Sequence, residues 1–159
     1  MRHQVGIAEM RVSDDEKEII TAKRLASCVA VALYDESAKV GGLLRCVLPN
    51  SAIDGNRADS APQTFADTGI SKLIESVEEL GAERGKLQAT LVGGSNLLGD
   101  STIFHMGDRT AQGVRAALSS LGIEVRHEEI GGVISRDIEF RLADGRVLVW
   151  SSGVEKELV

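Results

Sequence analysis

The spacing of apolar and polar residues divides the chain into a strand-rich first half and a mixed second half. Residues 4–12 alternate loosely, as a half-exposed strand does, and an acidic turn from Ser13 to Glu18 leads into Ile19-Ile20-Thr21. Cys28-Val29-Ala30-Val31-Ala32-Leu33-Tyr34 is almost continuously apolar and rich in β-branched residues, the pattern of a strand covered on both faces. Asp35-Glu36-Ser37 makes a turn, and Lys39 to Leu48 reads as the antiparallel return strand, stopped by Pro49. Residues 50–61 are polar and irregular and read as a loop, of a length often found at functional rims. Pro62 suits the first turn of a helix, along which Phe65, Ile70, Leu73, Ile74, Val77 and Leu80 recur at helical spacing up to Gly81. Leu87 to Val92 is a further strand, and a second amphipathic helix carries Ala111, Val114, Leu118 and Leu121 before closing at Gly122. Ile123 to Glu128, Ile138 to Leu142 and Val147 to Trp150 complete the strands, the last two joined by the hairpin dipeptide Asp144-Gly145. Hairpin-joined strands with two long helices predict an α/β domain built in layers rather than a doubly wound one.

Composition narrows the function. The 159 residues fit a single domain spanning 1–159, long enough to bury a core without staples. Aromatics are only 3%, so the core must be aliphatic, and stacking platforms for single-stranded nucleic acid are not expected. A net charge of −6 argues against nonspecific binding to DNA or anionic membranes. The N-terminus lacks the apolar stretch of a signal peptide, and no apolar run approaches the ~20 residues of a spanning helix. A cytoplasmic protein with no membrane insertion is expected.

Chemistry is sparsely signalled. The two cysteines, Cys28 and Cys46, are too few for a disulfide framework, and each sits where a small buried hydrophobe would. With only His3, His105 and His127 beside them, no zinc spacing appears, and no metal or other cofactor is expected. Gly93-Gly94-Ser95 and Gly131-Gly132 each follow a strand, where paired glycines ordinarily serve backbone geometry.

Taken in order, these pieces form a pattern. Ala26-Ser27-Cys28-Val29-Ala30-Val31 is followed by Val40-Gly41-Gly42, Leu48-Pro49 and Phe65-Ala66-Asp67. Then come Leu80-Gly81-Ala82, Val92-Gly93-Gly94-Ser95-Asn96, Met106-Gly107-Asp108-Arg109 and Gly131-Gly132-Val133-Ile134-Ser135-Arg136. The series resembles the CheD family, the chemoreceptor glutamine deamidases of bacterial chemotaxis, from about Val5 to Val149. The resemblance implies a three-layer α/β sandwich with mixed, largely antiparallel sheets. It implies hydrolysis of receptor glutamine side chains to glutamate by a Cys–His thiol mechanism, without a cofactor. It implies two partners, the cytoplasmic domain of a chemoreceptor and a CheC-type phosphatase of the phosphorylated response regulator. By position the nucleophile is Cys28, whose thiolate would attack the carboxamide carbon to give a thioester that water hydrolyses. Ser27 and Arg45 are the binding residues beside it.

The chain departs from the family pattern around that cysteine. The family places a histidine three residues before its Leu-Pro, and here Arg45 stands there. A guanidinium can stabilise a nearby thiolate by charge but cannot shuttle protons. Loss of general acid–base help typically costs about 10²–10⁴ in rate, or about 3–5.5 kcal/mol. The family segment Thr-x-Gly-x-Gly-Ser-Cys reads here as Ala22-Lys23-Arg24-Leu25-Ala26-Ser27-Cys28, with Thr21 seven residues before the cysteine. Thr21 is the catalytic counterpart if a one-residue bulge absorbs the offset. His105 and His127 are the internal histidines that would replace the base. Two functions therefore compete: a deamidase of weakened activity, and a catalytically impaired module that docks chemoreceptors or the CheC-type phosphatase. If Arg45 faces the cleft of Cys28, strand alternation sends Cys46 to the opposite face, and the two cysteines form no disulfide.

Overall fold

The apolar run after Cys28 becomes β4 (Val29–Asp35), in which every residue except Tyr34 is buried. The structure is a computed structural model that describes residues 1–97 and 105–158. Strand β4 lies at the middle of a five-stranded sheet of order β2-β5-β4-β6-β7, formed with β2 (Glu9–Ser13), β5 (Val40–Cys46), β6 (Gln88–Gly93) and β7 (Glu124–Ile130). A second sheet, of order β1-β3-β8-β9-β10, comprises β1 (Arg2–Gln4), β3 (Ile19–Leu25), β8 (Arg136–Arg141), β9 (Val147–Ser151) and β10 (Val154–Glu157). Among the pairings of these ten strands, β1–β3 and β6–β7 are parallel and the others antiparallel.

Both faces of the central sheet are covered, which is why its sequences run apolar instead of alternating. On one face, Val29, Val31, Leu33, Leu44 and Leu91 pack against the apolar stripes of α2 (Ala66–Glu79) and α3 (Met106–Ser120). On the other, Ala30, Ala32, Leu43 and Val92 meet Ile20, Ala22, Ile138, Phe140 and Val149 of the second sheet. Helices, central sheet and outer sheet are the three layers of the expected α/β sandwich. No helix among the described residues is long and apolar enough to cross a membrane.

Four stretches depart from the sequence expectation. Residues 4–12 are not one strand: the chain turns at Gly6–Ala8 and sends β1 and β2 to different sheets. The turn is held by Gly6 N donating to Glu9 Oε2 at 2.9 Å and by a left-handed Ala8. Residues 50–61 are not a loop but a 3-10 turn (Ser51–Ile53) and the short helix α1 (Gly55–Ser60). Their polar residues are caps: Asn50 Oδ1 accepts from Ala52 N at 2.7 Å and Asp54 Oδ1 from Arg57 N at 3.1 Å. Pro62 opens a separate 3-10 turn (Pro62–Thr64) rather than α2 itself. Strand β10 has only one apolar residue, being Val-Glu-Lys-Glu, and is exposed throughout.

One ion pair joins the sheets at the end of the acidic turn. Glu18 is buried, and Arg11 of β2 donates to its carboxylate through Nε at 2.6 Å and Nη2 at 3.3 Å, with His3 Nε2 at 3.6 Å. Burial pushes this carboxyl up, but hydrogen bonds from Arg11 and Ser13 and the charges of Arg11 and His3 outweigh it, so the net shift is downward. A lowered carboxyl contributes stability that is present above its unfolded value and lost as pH falls through the folded one. We predict that Glu18→Gln costs about 1–3 kcal/mol in urea denaturation at pH 7, and that the gap from the parent closes below about pH 4. An undiminished gap at pH 3 would contradict this account.

Candidate active site

Cys28 immediately precedes β4 and is 7% exposed. Its segment is fastened by the turn that follows β6: Gly94 N donates to Cys28 O at 2.9 Å and Ser95 N to Ala26 O at 2.8 Å. Gly93 is required there, because its φ of +118° suits glycine and a Cβ would run into the Cys28 carbonyl oxygen. The glycine pair thus does serve backbone geometry, and the geometry it serves is that of the cysteine.

Arg45 sits on β5 opposite Ala30, two residues past Cys28, and is likewise 7% exposed. Its Nε donates to Cys28 Sγ at 3.3 Å and its Nη2 to the Arg24 carbonyl at 3.2 Å. Among the described residues no carboxylate pairs with this buried guanidinium. Cys46 points to the helix-side core, its Sγ 3.5 Å from the Val29 carbonyl oxygen, and both cysteines are free thiols. Burial, with a contribution from Cys28, pushes the Cys46 thiol up to about 12.

Thr21 does not join Cys28. It lies on the outer face of β3 near Arg2, Lys23 and Trp150, its Oγ1 3.5 Å from the His3 carbonyl oxygen. Strand alternation instead turns Ala22, six residues before the cysteine, into the core that contains Cys28. A bulge does exist, but it follows this pair: Lys23 and Arg24 oppose the single residue Asp137, and Arg24 N donates to Asp137 Oδ1 at 2.8 Å. Arg24 adopts φ +55° at one of the positions where the family pattern has glycine.

Ser27 lines a cavity of about 310 Å³ together with Ala26, Ser95, Asn96, Met106 and Gly107. Among the described residues, the backbone N–H groups of Ser27 and Cys28 have no hydrogen-bond acceptor. His105, left-handed at φ +40°, precedes α3 with Nδ1 3.9 Å from Asp108 Oδ2, while Asp108 Oδ1 accepts from Asn96 Nδ2 at 3.0 Å. Sequence reasoning singled out His105 but not its grouping with Asp108 and Asn96 beside the cavity, because nothing local links residue 96 to α3. His127, on β7, pairs with Thr90, which pairs in turn with Ala32, four residues along β4 from Cys28. Among the described residues, no cluster of three His, Cys, Asp or Glu side chains is arranged to hold a metal ion.

The fold is a three-layer α/β sandwich, with Cys28 and Arg45 in contact where the two sheets meet. The chain belongs to the CheD family: the family model described as CheD chemotactic sensory transduction matches residues 47–151. It is 37% identical over 155 residues to a probable chemoreceptor glutamine deamidase CheD of Solibacter usitatus, covering 98% of this chain and 92% of that protein. It is 33% identical over 158 residues to the chemoreceptor glutamine deamidase CheD of Thermotoga maritima, covering 99% and 97%. A probable chemoreceptor glutamine deamidase CheD of Pyrococcus abyssi is 38% identical over 146 residues, covering 91% of this chain and 88% of its own length.

The two thiols should differ sharply in reactivity. Iodoacetamide at pH 7.5 (about one unit below an ordinary thiol) should label Cys28 in the folded protein and reach Cys46 only on unfolding, as read by peptide mass spectrometry. Equal labelling of both would contradict their placement on opposite faces.

Proposed function

We propose that this protein works in chemotaxis at the cytoplasmic domain of a chemoreceptor, as a glutamine deamidase whose hydrolytic step is slow. Family membership and the activity for which its relatives are named support the substrate class. One observation carries the rest: at the position of the expected base, Arg45 donates a hydrogen bond to Cys28 Sγ.

In the reaction, Cys28 Sγ adds to the glutamine Cδ, and the carbonyl oxygen becomes an oxyanion. The Ser27 and Cys28 N–H groups are the donors available to it, and preorganised donors of this kind act strongly in a dry site. Collapse releases ammonia and leaves a thioester, which water hydrolyses to glutamate and the free thiol. Arg45 serves the first step by charge and hydrogen bonding to sulfur. It cannot give the leaving amine its proton or take one from water, because a guanidinium stays protonated. Ala22 offers a methyl group where a threonine would supply a hydroxyl. The binding of receptor does not depend on these proton transfers, so docking persists where turnover is poor. The same surface logic extends to a CheC-type phosphatase as a second partner.

The assay is ammonia release, with the one-dalton mass gain of the product, on a receptor cytoplasmic domain. Arg45→His should exceed the parent, by a factor within about 10²–10⁴ if the altered segment cooperates. Cys28→Ala in that background should abolish the gain, while receptor binding by Cys28→Ala in the parent stays intact. A parent rate that Arg45→His fails to improve would defeat the proposal and turn attention to His105, whose replacement by Gln would then remove activity.

A further inference from the structure

We propose that Arg136 is a positioning residue for Cys28, acting through the turn at Gly93–Ser95. Arg136 opens β8 of the outer sheet and is buried, 4% exposed. Its Nε donates to Glu129 Oε2 of β7 at 2.8 Å. Its Nη1 reaches the Gly93 carbonyl at 3.2 Å and Ser95 Oγ at 3.1 Å, and its Nη2 the Gly131 carbonyl at 2.8 Å. Three of these four acceptors lie on the backbone or side chains of the two glycine turns. The Ser95 hydroxyl, accepting from Arg136, donates onward to the Ile134 carbonyl at 2.5 Å, which fixes its rotamer.

That turn is what holds the cysteine. Gly94 N and Ser95 N bind the carbonyls of Cys28 and Ala26, on either side of the Ser27 and Cys28 N–H groups. One planar guanidinium therefore sets the turn, and the turn sets the direction in which the Cys28 segment presents its sulfur and its N–H donors. A lysine carries its three donors on a single nitrogen and lacks the planar fork that reaches these four acceptors together, and an apolar residue donates to none. The role of Arg136 in turnover rests on the reading of Cys28 as the nucleophile, but its control of the Cys28 segment does not.

Cys46 provides the internal control, since it lies beyond the central sheet in the helix-side core. Local loosening of the turn exposes Cys28 alone, whereas general destabilisation exposes both thiols. In Arg136→Met, iodoacetamide labelling of Cys28 in the folded protein should accelerate about tenfold or more with Cys46 still protected, and Arg136→Lys should fall between. Parallel acceleration of both cysteines, or a Cys28 rate within about twofold of the parent, would overturn the proposal. If Arg136→Met does not fold, Ser95→Ala decides in its place: it removes one link and leaves the Arg136–Glu129 pair, and an unchanged Cys28 rate overturns the proposal equally. In the Arg45→His background, Arg136→Met should lower ammonia release while raising alkylation. A failure of Arg45→His itself to release ammonia strikes the deamidase reading and leaves the labelling result standing.

Discussion

The central sheet has no side that faces water, and the site follows from that constraint. Every side chain of β5, and all but one of β4, is buried in one apolar core or the other, so a polar residue on these strands must find partners within reach. Two charged residues meet the demand in different ways. Asp35, at the end of β4, accepts from Ser37 N, Ser37 Oγ, Ala38 N and Glu83 N, and is wholly occupied in tying two turns together. Burial pushes its carboxyl up, but these hydrogen bonds hold it below the usual carboxylate range. Arg45 has one carbonyl and one sulfur. A buried cation so thinly compensated adds little to the fold, and the side chain it touches is that of Cys28.

The departures from the family pattern also prove to be connected in space. Arg24 and Arg45 lie far apart in sequence, yet the Arg24 carbonyl is the second acceptor of the Arg45 guanidinium. That carbonyl is presented by a left-handed residue in a bulge whose N–H is caught by Asp137. A non-glycine residue in this conformation costs roughly 1 kcal/mol or more, which the Asp137 hydrogen bond helps to offset. The altered segment and the altered base therefore form one hydrogen-bonded unit, and replacing Arg45 alone leaves the Arg24 carbonyl without that partner.

Much of this was legible in the chain because strand parity is a strict rule. Once Cys28–Tyr34 and Lys39–Leu48 are read as hairpin neighbours, the convergence of Cys28 with Arg45 and the separation of Cys46 follow from alternation. The same rule, applied to β3, excludes Thr21 and selects Ala22; only the position of the bulge was missing, and a bulge has no reliable composition. The split of residues 4–12 was hidden because a loose alternation continues across Gly6–Ala8 while the chain changes sheets. The caps of residues 50–61 are the residues that also signal loops. The fastening of Cys28 by Arg136 was invisible for another reason: it joins three segments through backbone carbonyls, which carry no sequence signature.

The two functional readings converge on one step of the reaction. Addition of sulfur to a carboxamide gives an intermediate from which either the thiolate or the amine departs. The thiolate leaves unaided, and the amine leaves only when protonated. A site that supplies charge at the sulfur and no proton at nitrogen therefore favours return to the starting amide. Under the proposed function the cost is that of missing acid–base help, about 10²–10⁴ in rate or about 3–5.5 kcal/mol, confined to the proton-transfer steps. On that reading, contacts that recognise the receptor would be untouched by it. Under the proposed function such a protein would occupy its receptor while seldom changing it, and in that condition a weakened deamidase and a docking module would be the same molecule.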